Sequence, residues 1–259
     1  MAAECTGAGE THNHRMFRPI HGGRLQQALH TLATRLPSQC TVCRTWPSEP
    51  VCEACVAQFA QPLARCGTCA LPLPEGAPHC VACLAHPPPL DACFAAVSYG
   101  YPWSELITSF KFKSHPGWAR AMAVLLRSMP FVEPALDQAD WVLPLPLSQQ
   151  RLQARGYNQA WELACQLAPD KRRRDARLLL RIADTAPQSG LSRAARLRNL
   201  RSAFAVDPLR STLLKARRIV LVDDVMTSGA TLHAAALALR AAGASHITGL
   251  VFARTDAPS

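Results

Sequence analysis

Two adjacent carboxylates and a loop of small, hydroxyl-bearing residues are the side chains whose types and spacing best fit chemistry. Asp223 and Asp224 follow the apolar, largely β-branched run 219–222, and shortly afterwards comes the loop Thr227, Ser228, Gly229, Ala230 and Thr231. The glycine lets a phosphate approach the backbone, while the hydroxyls and the free N–H groups of a helix N-terminus donate to it. Carboxylates repel a phosphate, so the acid pair suits a neighbouring polyol or a metal held on it. The segment therefore predicts a site for a ribose 5-phosphate.

Four Cys-x2-Cys pairs form a second set of chemically competent residues. Their members are Cys40, Cys43, Cys52, Cys55, Cys66, Cys69, Cys80 and Cys83. Eight thiolates suffice for two tetrahedral sites, and this proline-rich stretch buries too little apolar area to fold without metal. We therefore predict two structural Zn²⁺ ions, with sequential and interleaved pairing both open. Redox chemistry does not need four such pairs, and disulfides do not fit a reducing compartment.

Composition and charge favour a cytoplasmic protein that meets a polyanion. Of the 259 residues 49% are hydrophobic, yet no apolar run reaches the roughly 18 residues of a membrane span. Residues 1–10 are polar and lack an apolar signal core, so we expect the cytoplasm. The net charge is +10, but residues 151–218 hold 16 Lys/Arg and 5 Asp/Glu, a local +11 that leaves −1 elsewhere. A positive field confined to one region indicates a polyanionic substrate or partner.

Alternating strands and helices must position these residues. Strands are predicted at 94–99 and, shortened by prolines, within 141–147, and a βαβ unit closes with a strand at 247–252. Helices are predicted before Lys113, over 118–128, after the capping residue Asn158 and after the hydroxyl loop, with Gly243 as a C-terminal cap. Residues 148–156 are expected to form a loop. This order predicts an α/β fold with a doubly wound parallel sheet, preceded by a small Cys-rich zinc-ribbon domain.

Three segments make up the predicted domain organisation. Residues 1–36 form an N-terminal segment with one short helix at 24–36, and residues 37–89 form the double zinc ribbon. Three prolines at 87–89 form a stiff linker, after which the α/β domain runs from 90 to 259.

The segment 219–231 resembles the signature of the type I phosphoribosyltransferases, which is a short apolar strand, two acidic residues and a T/S-G-x-T loop. The longer order of motifs resembles the ComF/GntX family, bacterial proteins with a double zinc ribbon ahead of such a domain. That order is the eight cysteines, F-K-F at 110–112, R-G-Y-N-Q at 155–159, Q-x7-R-x2-N at 188–199 and the acid pair with its loop. The resemblance covers about residues 37–254. It implies a link to natural competence, DNA uptake and the handling of imported DNA.

The resemblance also implies roles for individual residues. Asp223 and Asp224 would bind the ribose hydroxyls of phosphoribosyl pyrophosphate, and the loop 227–231 would bind its 5-phosphate. Members that act on 6-oxopurines carry an aspartate at the first loop position, next to the base. Thr227 stands there in this chain, so the resemblance does not extend to their base chemistry.

Transfer of ribose 5-phosphate to or from a nucleobase would pass through an oxocarbenium-like state while pyrophosphate gains charge, so nearby cations would stabilise it. The expected cations are Mg²⁺ with the substrate, Lys111, Arg151, Arg155 and Arg196. We assign Lys111 and Arg196 to catalysis beside the acid pair, and Arg151, Arg155 and Ser148 to substrate binding. Arg196 lies in the segment 188–200, interpreted as a mobile arm that closes to exclude water.

A different class of function also fits the sequence. The chain would then be a non-catalytic factor that binds single-stranded nucleic acid and senses phosphoribosyl pyrophosphate through the same site. Zinc ribbons and the basic segment favour contact with a polyanion, and single-stranded DNA or a DNA-uptake helicase would be the partner. Few aromatic residues for base stacking, only Tyr157 and Trp161 between 151 and 200, speak against it. The residues Arg172 to Arg174 are interpreted as solvated surface charges.

Overall fold

The computed structural model describes residues 38–113, 115–182 and 203–256. Its strands, in chain order, are β1 (Ala92–Ser98), β2 (Trp141–Pro144), β3 (Leu179–Arg181), β4 (Phe204–Val206), β5 (Arg218–Met226) and β6 (His246–Arg254). Within these residues four strands form a parallel sheet in the order β1-β6-β5-β2, and β3 pairs with β4 in an antiparallel hairpin. The predicted helix at 24–36 and the predicted arm at 188–200, with Arg196, lie outside the described residues.

Helices connect the strands and cover the sheet. Those of the described part of the chain are α1 (Glu53–Phe59), α2 (Val81–Ala85), α3 (Trp103–Phe112), α4 (Trp118–Arg127), α5 (Val132–Gln138), α6 (Gln149–Arg155), α7 (Gln159–Leu167) and α8 (Ala230–Ala241). Short 3₁₀ turns occupy Lys171–Arg173 and Ser211–Leu214. None of the helices in the described ranges is both long and apolar enough to cross a membrane.

The central strand β5 shows how the sheet separates two apolar layers. Successive side chains of a strand point to opposite faces. Val220 and Val222 accordingly pack in one buried cluster with residues of α4 and α7, whereas Ile219 and Leu221 pack in another with residues of α8. Helices on both faces of a parallel sheet make this a doubly wound α/β fold, as the sequence predicts.

The Cys-rich region packs against both faces of the same sheet. Cys40 and Cys55 belong to the cluster on the α4 and α7 face, whereas Cys66, Cys69 and Cys80 belong to the cluster on the α8 face. Hydrogen bonds also connect the region to the rest of the fold. The indole of Trp103 donates to the carbonyl of Phe59 at 2.9 Å, and the N–H of Cys93 donates to the carbonyl of Gly67 at 2.8 Å.

Two elements differ from the sequence-based expectation. The strand before the acid pair does not end there but continues through it to Met226, because Asp223 still pairs with Val251 of β6. The expected loop at 148–156 contains helix α6, which Ser148 caps at its start and Gly156 ends with a left-handed φ of +78°. Helix α6 buries none of its residues, so its sequence carries no apolar periodicity, and only the two caps mark its ends.

Candidate functional site

The acid pair lies near the carboxyl end of β5, where ligands of open parallel sheets bind. Asp224 is 5% exposed and meets Lys111, the penultimate residue of α3, with its Oδ1 3.2 Å from the lysine Nζ. Its second oxygen, Oδ2, is buried and has no hydrogen-bond partner among the described residues. Lys111, expected to face pyrophosphate, is thus placed on the acid pair itself.

Asp223 points its carboxylate back at the backbone, and its Oδ1 accepts a hydrogen bond from the N–H of Asp224 at 2.8 Å. Burial, followed by the neighbouring Asp224 carboxylate, raises the pKa of Asp223 to about 7. Lys111 and Arg155 oppose this rise and therefore lie within electrostatic reach of the carboxylate. The two acids thus have different environments, because Asp224 has a lysine partner and Asp223 does not.

The hydroxyl loop turns directly from β5 into α8. Thr227 and Ser228 are exposed, while Gly229 is buried and precedes the first helical residue, so Ala230 and Thr231 already lie in the first helical turn. Gly229 has a φ of +78°, and a Cβ there would stand 2.4 Å from the Met226 Cε and 3.0 Å from the His233 ring. The left-handed φ favours glycine here, and the helix N-terminus that follows offers N–H groups to an anion, of which that of Ala230 donates to Ser228 Oγ at 3.4 Å.

The R-G-Y-N-Q segment joins α6 to α7 beside the acid pair. The Tyr157 hydroxyl donates to the carbonyl of Phe110, which fixes the end of the helix that carries Lys111. The Asn158 side chain caps α7 by accepting from the N–H of Ala160 at 3.0 Å, and its amide donates to the carbonyl of Leu145 at 3.1 Å. These contacts hold the connection after β2 next to the carboxyl end of β5.

Arg155 and its neighbours complete this side of the site. The Arg155 guanidinium lies 5.2 Å from the ring centroid of Phe112 and donates to the Gln159 side chain at 2.9 Å. Arg151 is exposed in the first turn of α6. Ser148 is 6% exposed, and its hydroxyl accepts from the N–H of Arg151 at 3.3 Å, so this hydroxyl caps a helix. Lys111, Arg155 and the acid pair are therefore brought together, whereas Ser148 has a structural partner of its own.

The eight cysteines form two groups, and their pairing is sequential. Among the described residues Cys40, Cys43, Cys52 and Cys55 make one group, Cys66, Cys69, Cys80 and Cys83 make the other, and each group's sulfurs all lie within 4.8 Å of one another. Sulfur–sulfur distances of 3.8 Å (Cys40 to Cys55), 3.5 Å (Cys43 to Cys52) and 3.7 Å (Cys69 to Cys80) occur. Tetrahedral zinc with Zn–S bonds of about 2.3 Å requires sulfurs about 3.8 Å apart. Each group can therefore hold one zinc ion.

Backbone N–H groups prepare one thiol of each group for metal binding. Burial acts to raise the pKa of Cys40, but the N–H groups of Cys43 and Cys52 outweigh it and lower the pKa to about 6. Burial likewise acts against Cys66, whereas the Thr68 hydroxyl and nearby N–H groups lower its pKa to about 5. Because zinc binds the thiolate, N–H donors directed at sulfur favour occupancy.

Part of the basic segment is used inside the fold. Arg173 donates to the carbonyls of Leu136 and Ala139 at the end of α5, and Arg174 donates to the carbonyls of Cys165 and Ala168 at the end of α7. The interpretation of both as solvated surface charges is therefore wrong, because each satisfies the unpaired carbonyls of a helix C-terminus.

Two residues beneath the hydroxyl loop were not singled out from the sequence. Burial, followed by Arg254, lowers the pKa of His233 to about 4, and its buried Nε2 has no partner within the described ranges. Arg254, at the end of β6, is 6% exposed and donates to the carbonyl of Thr227. Because His233 follows Gly229 by one helical turn, its position next to the loop could have been predicted from the sequence. Nothing in the sequence marks Arg254.

Comparisons with known proteins show what the chain is similar to. A family model described as the phosphoribosyl transferase domain matches residues 160–258, which include the acid pair and the hydroxyl loop. The chain is 34% identical over 207 residues to competence protein F of Haemophilus influenzae, an alignment that covers 76% of this chain and 87% of that protein. It is 31% identical over 233 residues to the DNA utilization protein YhgH of Escherichia coli O6:H1, covering 85% and 98%. The Salmonella typhimurium protein of that name is 30% identical over 231 residues, covering 85% and 98%.

Proposed function

Because this chain belongs to the ComF family, whose members carry a phosphoribosyltransferase domain, we propose that it binds phosphoribosyl pyrophosphate with Mg²⁺ and transfers ribose 5-phosphate to or from a nucleobase. Its relatives are named for competence and for DNA utilization. We accordingly propose that the reaction serves the use of nucleotides that come from DNA.

The observation that carries this proposal is the unpartnered Oδ2 of Asp224 beside the glycine loop. A buried acceptor without a hydrogen-bond donor costs about 1–3 kcal/mol, which a donor on a bound ligand returns. The hydroxyls of a ribose are such donors. The adjacent helix N-terminus offers N–H groups to the phosphate on the same sugar, so one ligand satisfies both features.

The chain's own side chains supply the remaining parts of the reaction. Asp223 and Asp224 hold the ribose hydroxyls, and the loop 227–231 holds the 5-phosphate, which fixes the anomeric carbon. As the bond from that carbon to pyrophosphate breaks, Arg155 and Arg151 stabilise the charge that leaves, while Lys111 holds Asp224. Arg can hold two phosphate oxygens at once, which suits Arg155 next to the acid pair. Arg196 belongs to this set by the family motif alone.

The acid pair and the substrate's own phosphates fit Mg²⁺, which binds through one or two carboxylates together with phosphate oxygens. When bound, Mg²⁺ neutralises charge on the pyrophosphate. In the ligand-free protein the carboxylate of Asp224 is neutralised by Lys111, whose Nζ lies 3.2 Å from its Oδ1.

Pyrophosphate release from phosphoribosyl pyrophosphate and Mg²⁺, measured with a panel of nucleobases, tests the proposed function. We expect release that depends on one base or base class. Asp223→Asn combined with Asp224→Asn should abolish it, because the ribose hydroxyls lose both acceptors. Lys111→Met should lower release by 10-fold or more, whereas Lys113→Met, two residues further on, should leave it unchanged.

The same proteins separate catalysis from ligand sensing. Ligand binding by calorimetry, with no release for any base, would replace the transferase by a sensor of phosphoribosyl pyrophosphate. Absence of both binding and release in the wild-type protein would contradict the site assignment altogether.

A specific observation favours nucleic acid as the partner of such a sensor. A cavity of about 690 Å³ is lined by Trp161, Arg174, Arg177 and Arg210, together with Asp175, Ala176 and Asp207. Trp161 offers this cavity a ring for base stacking and Arg177 a charge for a phosphate, whereas Arg210 pairs with Asp175 and Arg174 binds the carbonyls at the end of α7. In the sensor outcome, affinity for single-stranded DNA should therefore fall steeply with salt, because phosphate contacts release counterions.

A further inference from the structure

Arg254 joins two parts of the molecule that are far apart in sequence. Its Nε donates to the carbonyl of Cys69 at 2.9 Å. Its Nη1 donates to the carbonyl of Met226 at 3.3 Å and to that of Thr227. The first of these carbonyls belongs to the second four-cysteine group, and the other two belong to the last residue of β5 and the first residue of the hydroxyl loop.

The side chain is buried without a carboxylate. Arg254 is 6% exposed, and no carboxylate of the described residues lies within ion-pair distance of it. Arg65 is a partly buried guanidinium that likewise has no ion-pair partner among the described residues, and its Nη1 donates to the carbonyl of Ala70 at 3.1 Å. A buried charge needs compensation. Four thiolates around one Zn²⁺ carry a net charge of −2, so Arg65 and Arg254 together balance the second group when it holds zinc.

The first four-cysteine group differs in this respect. It packs in the cluster on the opposite face of the sheet, with Val220, Val222 and residues of α4 and α7. No hydrogen bond recorded for its described residues reaches the segment 226–231. In the described part of the chain, therefore, only the second of the two four-cysteine groups is linked to the loop, through the side chain of Arg254.

We propose that Arg254 is a positioning residue that couples the second four-cysteine group to the phosphate loop, so that zinc in that group sets the loop's geometry. With zinc bound, the negative centre holds the guanidinium, and the guanidinium holds the carbonyls of Met226 and Thr227. Those carbonyls fix the turn from which the loop's N–H groups point at a phosphate. Without zinc, the guanidinium loses its counter-charge and the turn loses its anchor.

Hydrogen–deuterium exchange of the ligand-free protein measures this coupling directly. We expect Arg254→Met to retain two zinc ions per chain by atomic emission and to raise amide exchange in residues 226–231 by 10-fold or more. A lysine at this position keeps the charge but cannot reach both the carbonyl of Cys69 and those of Met226 and Thr227. Amide exchange in residues 226–231 should therefore rise in Arg254→Lys as it does in Arg254→Met. Exchange at Val142 and Leu143 of β2 should stay at the wild-type level and serves as the internal reference.

Paired cysteine variants test the coupling with Arg254 in place. Cys83→Ser in the second group should raise exchange in 226–231, whereas Cys43→Ser in the first group should not. The comparison of these two cysteine variants tests the coupling even if Arg254→Met fails to fold. Equal loop exchange in both cysteine variants, or wild-type exchange in Arg254→Met or Arg254→Lys, would overturn the inference.

Ligand binding gives a second readout, which rests on the proposed function. Calorimetry with ribose 5-phosphate should show a 10-fold or greater loss of affinity in Arg254→Met and Cys83→Ser, and a smaller loss in Cys43→Ser. No binding by the wild-type protein would contradict the proposed function, while the exchange measurements would still decide the coupling. Wild-type binding that persists unchanged in Arg254→Met would overturn the coupling alone.

Discussion

Asp223 illustrates how a residue of the candidate site can oppose folding. Its pKa is raised to about 7 by burial and then by Asp224, so the ionised form that a ribose would meet is unfavourable in the ligand-free protein. Asp224, in contrast, has an ion-pair partner, with its Oδ1 3.2 Å from the Nζ of Lys111. Of the two adjacent carboxylates, Asp224 is therefore paired with a lysine, whereas the protonation of Asp223 changes with pH near neutrality.

Replacing Asp223 by asparagine should stabilise the protein at high pH. A carboxyl that keeps its proton longer in the folded state makes stability fall as pH rises from about 4, the unfolded pKa, towards the folded pKa. Asp223→Asn has no such loss, so we expect it to be more stable than wild type by on the order of 2 kcal/mol at pH 8, a gain that shrinks towards pH 4. Chemical denaturation across that range measures the difference.

Asp140→Asn is the matched control for this prediction. Asp140 accepts from Arg217 at 2.9 Å and from the N–H of Arg218 at 2.8 Å, so asparagine in its place removes an ion pair and a charged acceptor. The substitution should therefore lower stability at pH 8. A gain in both variants would show that general charge reduction, and not the environment of Asp223, is responsible.

Among the elements, the turn from β5 into α8 depends most on a single residue. Gly229 and Gly156 share a φ of +78°, but a Cβ meets Met226 at 2.4 Å in the first and nothing within 4 Å in the second. Alanine in a left-handed conformation costs about 1–2 kcal/mol. Gly156→Ala should lose only this amount, whereas Gly229→Ala should lose more and should also lose binding of ribose 5-phosphate. Denaturation and calorimetry on both variants check this, and equal losses would contradict the steric argument.

The elements also show how far the sequence predicts the structure. The β-branched run before Asp223 and the cap at Gly243, which has a φ of +93°, mark β5 and α8 because both signals are local. Helix α6 was missed because its exposed residues have no apolar period. Arg254 could not be found at all, since its partner Cys69 is 185 residues away and contributes only a backbone carbonyl. Local motifs thus predict the candidate site, whereas contacts made through the fold do not appear in the sequence.

At the scale of the whole molecule, the two four-cysteine groups pack against opposite faces of the sheet. Because structural zinc contributes folding free energy, a chelator should lower the unfolding temperature by about 10 °C or more, and added Zn²⁺ should restore it. Atomic emission should find two ions per chain, one in Cys43→Ser and still two in Cys165→Ser, whose cysteine lies outside both groups. An unchanged unfolding temperature after chelation would show that the cysteines pack without metal.

The strand order has a consequence for how the chain is made on the ribosome. The middle of the sheet consists of β5 and β6, the last strands in chain order, while the early strands β1 and β2 lie at its edges. Ala92 of β1 cannot pair until its partner Thr248 of β6 has been synthesised. Each cysteine group, in contrast, spans a short segment and can bind a metal ion as soon as that segment emerges from the ribosome. A nascent chain would thus be able to bind zinc long before its candidate ligand site forms. Until the end of synthesis its apolar strands β1 and β2 stay unpaired, the condition in which chains depend on chaperones.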